Sequence, residues 1–145
     1  MSVGRICTRV VATAGGEEKV AEAARRMVEH NVGTLVVVDA DSKPRGILTD
    51  RDIVIRCVAR NLSPEDASVG EIMTAPVRSV DESTPIEQVL GTMEGAGTRR
   101  MVVTGKGGTL AGLVSVDDIL ELLGDEVSRI AGILAREAPV LTPRT

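Results

Sequence analysis

The sequence predicts an α/β (α+β) protein of two tandem β-α-β-β-α units, and three observations carry that prediction. The phrase SVGRICT at residues 2–8 returns as SVGEIMT at residues 68–74, five letters of seven alike and 66 positions later. At the same offset Val11 meets Val77, Met27 meets Met93, Val36-Val37 meet Val102-Val103, Gly46 meets Gly112 and Asp52-Ile53 meet Asp118-Ile119, with no insertion. Each copy also carries an apolar pattern at helical spacing followed by two short β-prone runs. A repeated supersecondary plan accounts for all three.

Each copy opens with its heptad and a brief β-prone run, Val10 to Thr13 or Val77 to Val80. A helix follows: Val20, Ala24, Met27 and Val28 recur at i, i+4, i+7 and i+8, and Ile86, Val89, Leu90 and Met93 at i, i+3, i+4 and i+7. Thr84-Pro85-Ile86-Glu87 predicts the second helix's start, with Thr84 as N-cap, Pro85 at N1 and Glu87 at N3. LVVVD (35–39) and MVVTG (101–105) read as buried strands, each returning through a turn into RGILT or AGLVS. A last helix closes each copy through Ile53, Val54, Cys57 and Val58, or Ile119, Leu120, Leu122 and Leu123.

These patterns divide the chain into a first unit over 1–60, a polar linker over 61–66, a second unit over 67–124, and a C-terminal extension and loose tail over 125–145. In the extension Val127, Ile130 and Leu134 form a stripe interrupted by Gly124 and Gly132, suited to a helix on the same molecule or on a partner copy. Units of about 60 residues bury too little surface to stand alone, so the two are expected to share a core.

Composition narrows the function. The chain is 43% hydrophobic and 26% charged, as in ordinary globular proteins, and it contains no Phe, Tyr or Trp. That removes the aromatic platforms on which single-stranded nucleic acid stacks, and a net charge of −4 argues against a phosphate-backbone binder. No apolar run reaches the roughly 20 residues of a membrane span and no signal-like segment opens the chain, so a cytoplasmic location is expected, with neither nucleic acid nor membrane as partner. Cys7 and Cys57 belong to no Cys-x-x-Cys or Cys/His cluster and read as small buried hydrophobes; no metal site is expected. His30 has no legible partner for general-base work, and no nucleophile–base set can be assigned, so catalysis is not expected.

GILTDRDI at 46–53 and GLVSVDDI at 112–119 place Gly-h-h-[Thr/Ser]-x-x-Asp twice in register at a strand-to-helix junction. With the opening heptads, this resembles a pair of cystathionine-β-synthase (CBS) domains, over about residues 2–123. At such a junction a helix N-terminus favours an anion, a hydroxyl can bind phosphate, and a carboxylate three residues on can accept from ribose hydroxyls. The same spacing also makes a capping box, and a capped N-terminus can still face an anion.

The resemblance implies a nucleotide in a cleft between the units, with Thr49/Asp52 and Ser115/Asp118 in those two roles. Around the Ser115/Asp118 ligand it implies Thr13, Val32, Gly33, Thr34 and Leu113, with Arg99 and Arg100 as phosphate contacts or, equally open, a solvated pair. For Thr49/Asp52 the matching wall is Ile47, Ser79 and Thr98, with Arg51 as a cation; the second copy has Asp117 at that position, so one cleft is expected to bind less well or to take a different ligand. The implied function is regulatory: no required cofactor, an adenine nucleotide (AMP, ADP or ATP) as signal, a homodimer, and an unidentified regulated protein. A ligand-free docking scaffold and a sensor of S-adenosylmethionine or NAD are the alternatives.

Overall fold

The computed structural model describes residues 1–137. The first unit contains strand β1 (Thr13–Gly15), helix α1 (Val20–His30), strands β2 (Thr34–Val38) and β3 (Pro44–Thr49), and helix α2 (Asp50–Ile53), which continues as a π-helical turn over Val54–Val58. After helix α3 (Val69–Ile72), the second unit repeats the plan with β4 (Ser79–Asp81), α4 (Ile86–Ala96), β5 (Arg100–Thr104), β6 (Leu110–Ser115) and α5 (Val116–Glu137). Each unit holds a three-stranded sheet, β1-β2-β3 or β4-β5-β6, with one parallel and one antiparallel pairing. The register shift between Val37 and Val38 recurs between Val103 and Thr104, so even the irregularity is repeated.

The first strands begin later than the β-prone runs suggest, because ladder pairing starts only where Thr13 meets Val36 and Ser79 meets Val102. Strand alternation puts Leu35 and Val37 on the helix side of one sheet and Met101 and Val103 on that of the other. Val36 and Val102 point the opposite way and are still fully buried, so both faces of each sheet are covered. Cys7 and Cys57 are buried free thiols, and burial pushes the Cys7 thiol above its usual range, which makes it unreactive.

The expected shared core is instead two, one per unit, and the units are joined because the repeated heptads are exchanged between them. Val3, Ile6 and Cys7 pack in the core of the second unit, whereas Val69, Ile72 and Met73 pack in that of the first. Thr8 pairs with Leu113 on the outer edge of β6, and Thr74 with Ile47 on β3. The exchange also supplies the helix starts. Ile86 N–H donates to the Met1 carbonyl at 3.1 Å and Val3 N–H to Thr84 at 2.8 Å; in the first unit Val20 and Ala21 donate to Ala67 and Pro64 at 3.0 and 2.9 Å. The expected Thr84 cap is therefore replaced: α4 begins at Ile86 with Pro85 as N-cap and no side-chain cap, since the crossing backbone takes up its free N–H groups.

Gly97 ends α4 at φ +64°, in the left-handed region. Gly91 and Gly95 lie within that helix, and a Cβ at either meets nothing within 4 Å. Alanine at these two sites is expected to stabilise the chain by roughly 0.5–1 kcal/mol each through a less flexible unfolded state. Thermal melts check this, and an unchanged or lower melting temperature for the double variant refutes it. Gly124 and Gly132 do not interrupt the last helix: α5 runs unbroken to Glu137. The expected tail over 138–145 lies outside the described residues.

Candidate functional site

Both strand-to-helix junctions form complete capping boxes. Thr49 is extended at the N-cap, its Oγ1 accepts from Asp52 N–H at 3.1 Å, and the Asp52 Oδ2 accepts from Thr49 N–H at 3.0 Å. In the second unit Ser115 Oγ accepts from Asp118 N–H at 3.2 Å and Asp118 Oδ2 from Ser115 N–H at 2.8 Å. Each box uses one carboxylate oxygen and leaves Oδ1 and a hydroxyl hydrogen for other partners.

The copies then diverge. Asp52 Oδ1 faces the Arg56 guanidinium at 3.6 Å and the Thr74 hydroxyl at 3.5 Å. The offset puts Leu122 where Arg56 stands, and among the described residues no side chain bonds to Asp118 Oδ1. Asp118 thus presents an open acceptor, whereas Asp52 is held by neighbours from its own unit and from the exchanged heptad.

Two cavities lie at the seam between the units. One, of about 270 Å³, is lined by Thr8, Val10, Val11, Ala12, Val32, Gly33, Thr34, Leu113 and Arg100. The other, of about 220 Å³, is lined by Ile47, Thr74, Pro76, Val77, Arg78, Ala96, Thr98 and Arg100. Under the 66-residue offset Leu113 maps to Ile47, Thr8 to Thr74, Val11 to Val77, Val32 to Thr98 and Thr34 to Arg100, so these are two copies of one cleft. Each is walled by the strand leading to one unit's capping box and by the strand entrance of the other unit. Val10, Val11, Val32 and Leu113 make the first cleft largely aliphatic. Arg100 borders both clefts, and Arg78 adds a second cation to the smaller one.

The structure brings Val32, Gly33, Thr34, Leu113 and Arg100 together in one cleft, and Ile47, Thr98 and Arg100 in the other. Thr49, Asp52, Ser115 and Asp118 line neither cavity; the junctions adjoin the linings through strand pairing, Thr49 with Thr34 across β2–β3 and Ser115 with Arg100 across β5–β6. Four further expected residues lie elsewhere. Thr13 borders a separate 600 Å³ groove beside Glu18 and Arg26, and its carbonyl accepts from Arg26 at 2.8 Å. Ser79 is exposed on β4 and lines neither cleft. Arg51 sits on an outer surface with Asp50, Val54 and Ile55. Arg99 pairs with Asp117 at 3.2 Å, which neutralises the carboxylate expected to repel a phosphate there. Arg78 and the heptad residues Thr8 and Thr74 were not anticipated. Arg78 was detectable, because its counterpart across the offset is the uncharged Ala12.

A family model for the CBS domain matches residues 3–58 and 69–125. The chain belongs to the CBS-domain family. Its α/β architecture of two β-α-β-β-α CBS units is that of solved CBS-domain pairs. The pair of protein MJ0100, solved with 5′-methylthioadenosine and S-adenosyl-L-methionine, superposes with a TM-score of 0.76 at 28% identity, covering 87% of this chain and 98% of that one. Hypoxic response protein 1 of Mycobacterium tuberculosis is 37% identical over 109 residues, 75% of this chain and 76% of that protein. Its crystal structure, with two coordinated zinc ions, has a TM-score of 0.75 at 34% identity and covers 83% of this chain and 98% of that one. Among the described residues here, no three His, Cys, Asp or Glu side chains cluster to hold a metal. Protein MK0525 of Methanopyrus kandleri is 34% identical over 122 residues, 84% of this chain; the chain spans 62% of that protein's length. No helix among the described residues is long and apolar enough to cross a membrane.

Proposed function

We propose that this CBS pair is a non-catalytic regulatory module that binds a phosphorylated adenosine, AMP, ADP or ATP, in the clefts between its units and reports it to a partner protein, working as a homodimer. The observation that carries the reading is the larger cleft. Its aliphatic wall suits a purine, the open Asp118 Oδ1, in the capping box of the Ser115 that pairs with the lining residue Arg100, suits ribose hydroxyls, and Arg100, without an ion-pair partner among the described residues, suits a phosphate. Both cavities are small for ligand sites, which run to about 300–1,000 Å³, so the phosphates would lie at the mouth, where Arg100 stands. A ligand can act only through different affinities for two states of the pair, and the seam between the units is where those states would differ.

A second reading, a sensor of S-adenosylmethionine or a related thioether, is favoured by the ligands of the MJ0100 structure. NAD shares the adenosine half as well, and a scaffold with empty clefts is the remaining alternative. A thermal-shift panel of adenosine, AMP, ADP, ATP, NAD and S-adenosylmethionine separates these, read with an external dye because the chain has no Trp or Tyr. A ligand that binds only the folded state at 100 times its Kd adds about 2.7 kcal/mol. A selective rise with one adenine nucleotide is expected. A rise confined to S-adenosylmethionine moves the assignment to the second reading, and no rise at millimolar concentrations leaves the scaffold.

A further inference from the structure

Helix α5 is about 33 Å long, and only its first two turns touch the body. Ile119 is buried and Leu122 packs partly against the second core; every residue from Leu123 to Glu137 is exposed. Apart from Ile133, 54% exposed at the flank of the stripe beside Leu134, the large apolar residues on this length are not scattered. Leu120, Leu123, Val127, Ile130 and Leu134, between 52% and 65% exposed, follow one another at steps of three, four, three and four. Val116 extends the series by four residues in the other direction.

That alternation is a 3.5-residue repeat, the seam by which one helix packs along another. A solitary helix with this stripe in water and two interior glycines has little to hold it, since helical stability in proteins comes mainly from a packed face. The edge of the stripe is open as well, with Ala131 on one side and Gly124, where a Cβ would meet nothing within 4 Å, allowing close approach of a second helix.

Charge decides the orientation. Asp117, Asp118, Glu121, Asp125 and Glu126 fall in the first half of α5, and Arg129 and Arg136, with Glu137 as the last residue, in the second. A parallel partner would set one acidic half beside the other. An antiparallel copy sets each acidic half beside an arginine half and opposes the helix dipoles. We propose that α5 packs antiparallel against α5 of a second copy of this chain, Leu123 opposite Val127, Leu120 opposite Ile130, and Val116 opposite Leu134. This names the surface and orientation of the proposed homodimer, and it requires no ligand.

The test is the mass of the full chain in solution by light scattering, with oxidative crosslinking of single cysteine variants. Wild type is expected as a dimer and Val127→Glu/Ile130→Glu as a monomer whose body keeps a cooperative melting transition while circular dichroism loses helical signal from α5. Near the dyad, Gly124→Cys is expected to form a disulfide dimer that Leu134→Cys does not, with the buried native cysteines as background in wild type. A monomeric wild type overturns both the homodimer and this pairing. A glutamate variant that stays dimeric, or a Leu134→Cys chain that crosslinks as well as Gly124→Cys, overturns the antiparallel α5 seam alone. Should the glutamate variant fail to fold, the crosslinking pair decides.

Discussion

Alanine at Gly112 is expected to destabilise the fold by about 2–3 kcal/mol, and alanine at Gly46 by a similar amount. A Cβ at Gly112 would lie 2.7 Å from the Cys7 Sγ and 2.7 Å from the Thr8 carbonyl oxygen; at Gly46 it would lie 2.7 Å from the Met73 Sδ and 2.9 Å from the Thr74 carbonyl oxygen. The sulfur atoms can rotate away, but the carbonyls cannot. Thr8 exchanges both backbone hydrogen bonds with Leu113, at 2.9 and 3.0 Å, and Thr74 does the same with Ile47, at 2.8 and 3.0 Å. Relieving either clash means lifting an exchanged heptad off its strand, together with Val3 or Ile72 from the core. Thermal or urea melts should show a loss of at least about 5 °C. A variant that melts within a degree of wild type would show that the heptads are loosely held. The same substitution at Gly91 and Gly95 is expected to act in the opposite direction, so the sign follows the surroundings of each glycine.

The second large effect concerns the ligand. Asp118→Asn keeps an oxygen for the Ser115 cap and removes the charge from the open acceptor, so adenosine-ligand affinity should fall tenfold or more, with little change in melting temperature. Asp52→Asn should do the reverse. Its carboxylate already serves Arg56 and Thr74, and weakening that set costs stability while changing ligand affinity less. Asp52→Ala with Asp118→Ala should abolish binding, each alanine also costing about 1 kcal/mol as a lost cap partner. Calorimetric titration of the Asn variants with the ligand identified by the thermal panel distinguishes them. Undiminished binding to the Asp118→Asn chain removes Asp118 from the site.

The repeat, the order of elements and the two junctions were legible because each depends on local pattern: a fixed offset, a change of apolar period, and Thr or Ser three residues before Asp. The exchange of the heptads was not. Val3 and Val69 are the same residue in the same phrase, so nothing local says which core receives which. Arg100's place between both clefts depends on how two sheets meet, and no spacing within one strand encodes that. The glycines of α5 were misleading for a different reason. Each costs a helix about 1 kcal/mol, which predicts a break, but the helix runs through both. The small offset between β-prone runs and strands at Thr13 and Ser79 arose because pairing partners, not propensity, set where a strand begins.

The exchanged heptads also impose an order of assembly. As the chain emerges from the N-terminus, its first phrase finds no sheet to dock on until residues as far as Leu113 have appeared. The first unit, in contrast, can close once Thr74 is made, and it then waits for nothing further. Early closure of one unit leaves the leading arm as a handle that is taken up last, so completion of the second unit joins both halves at once. A single copy of the repeat could not close on itself in this way. It would have to borrow the missing arm from another chain, which makes the present arrangement an intramolecular version of a domain-swapped pair.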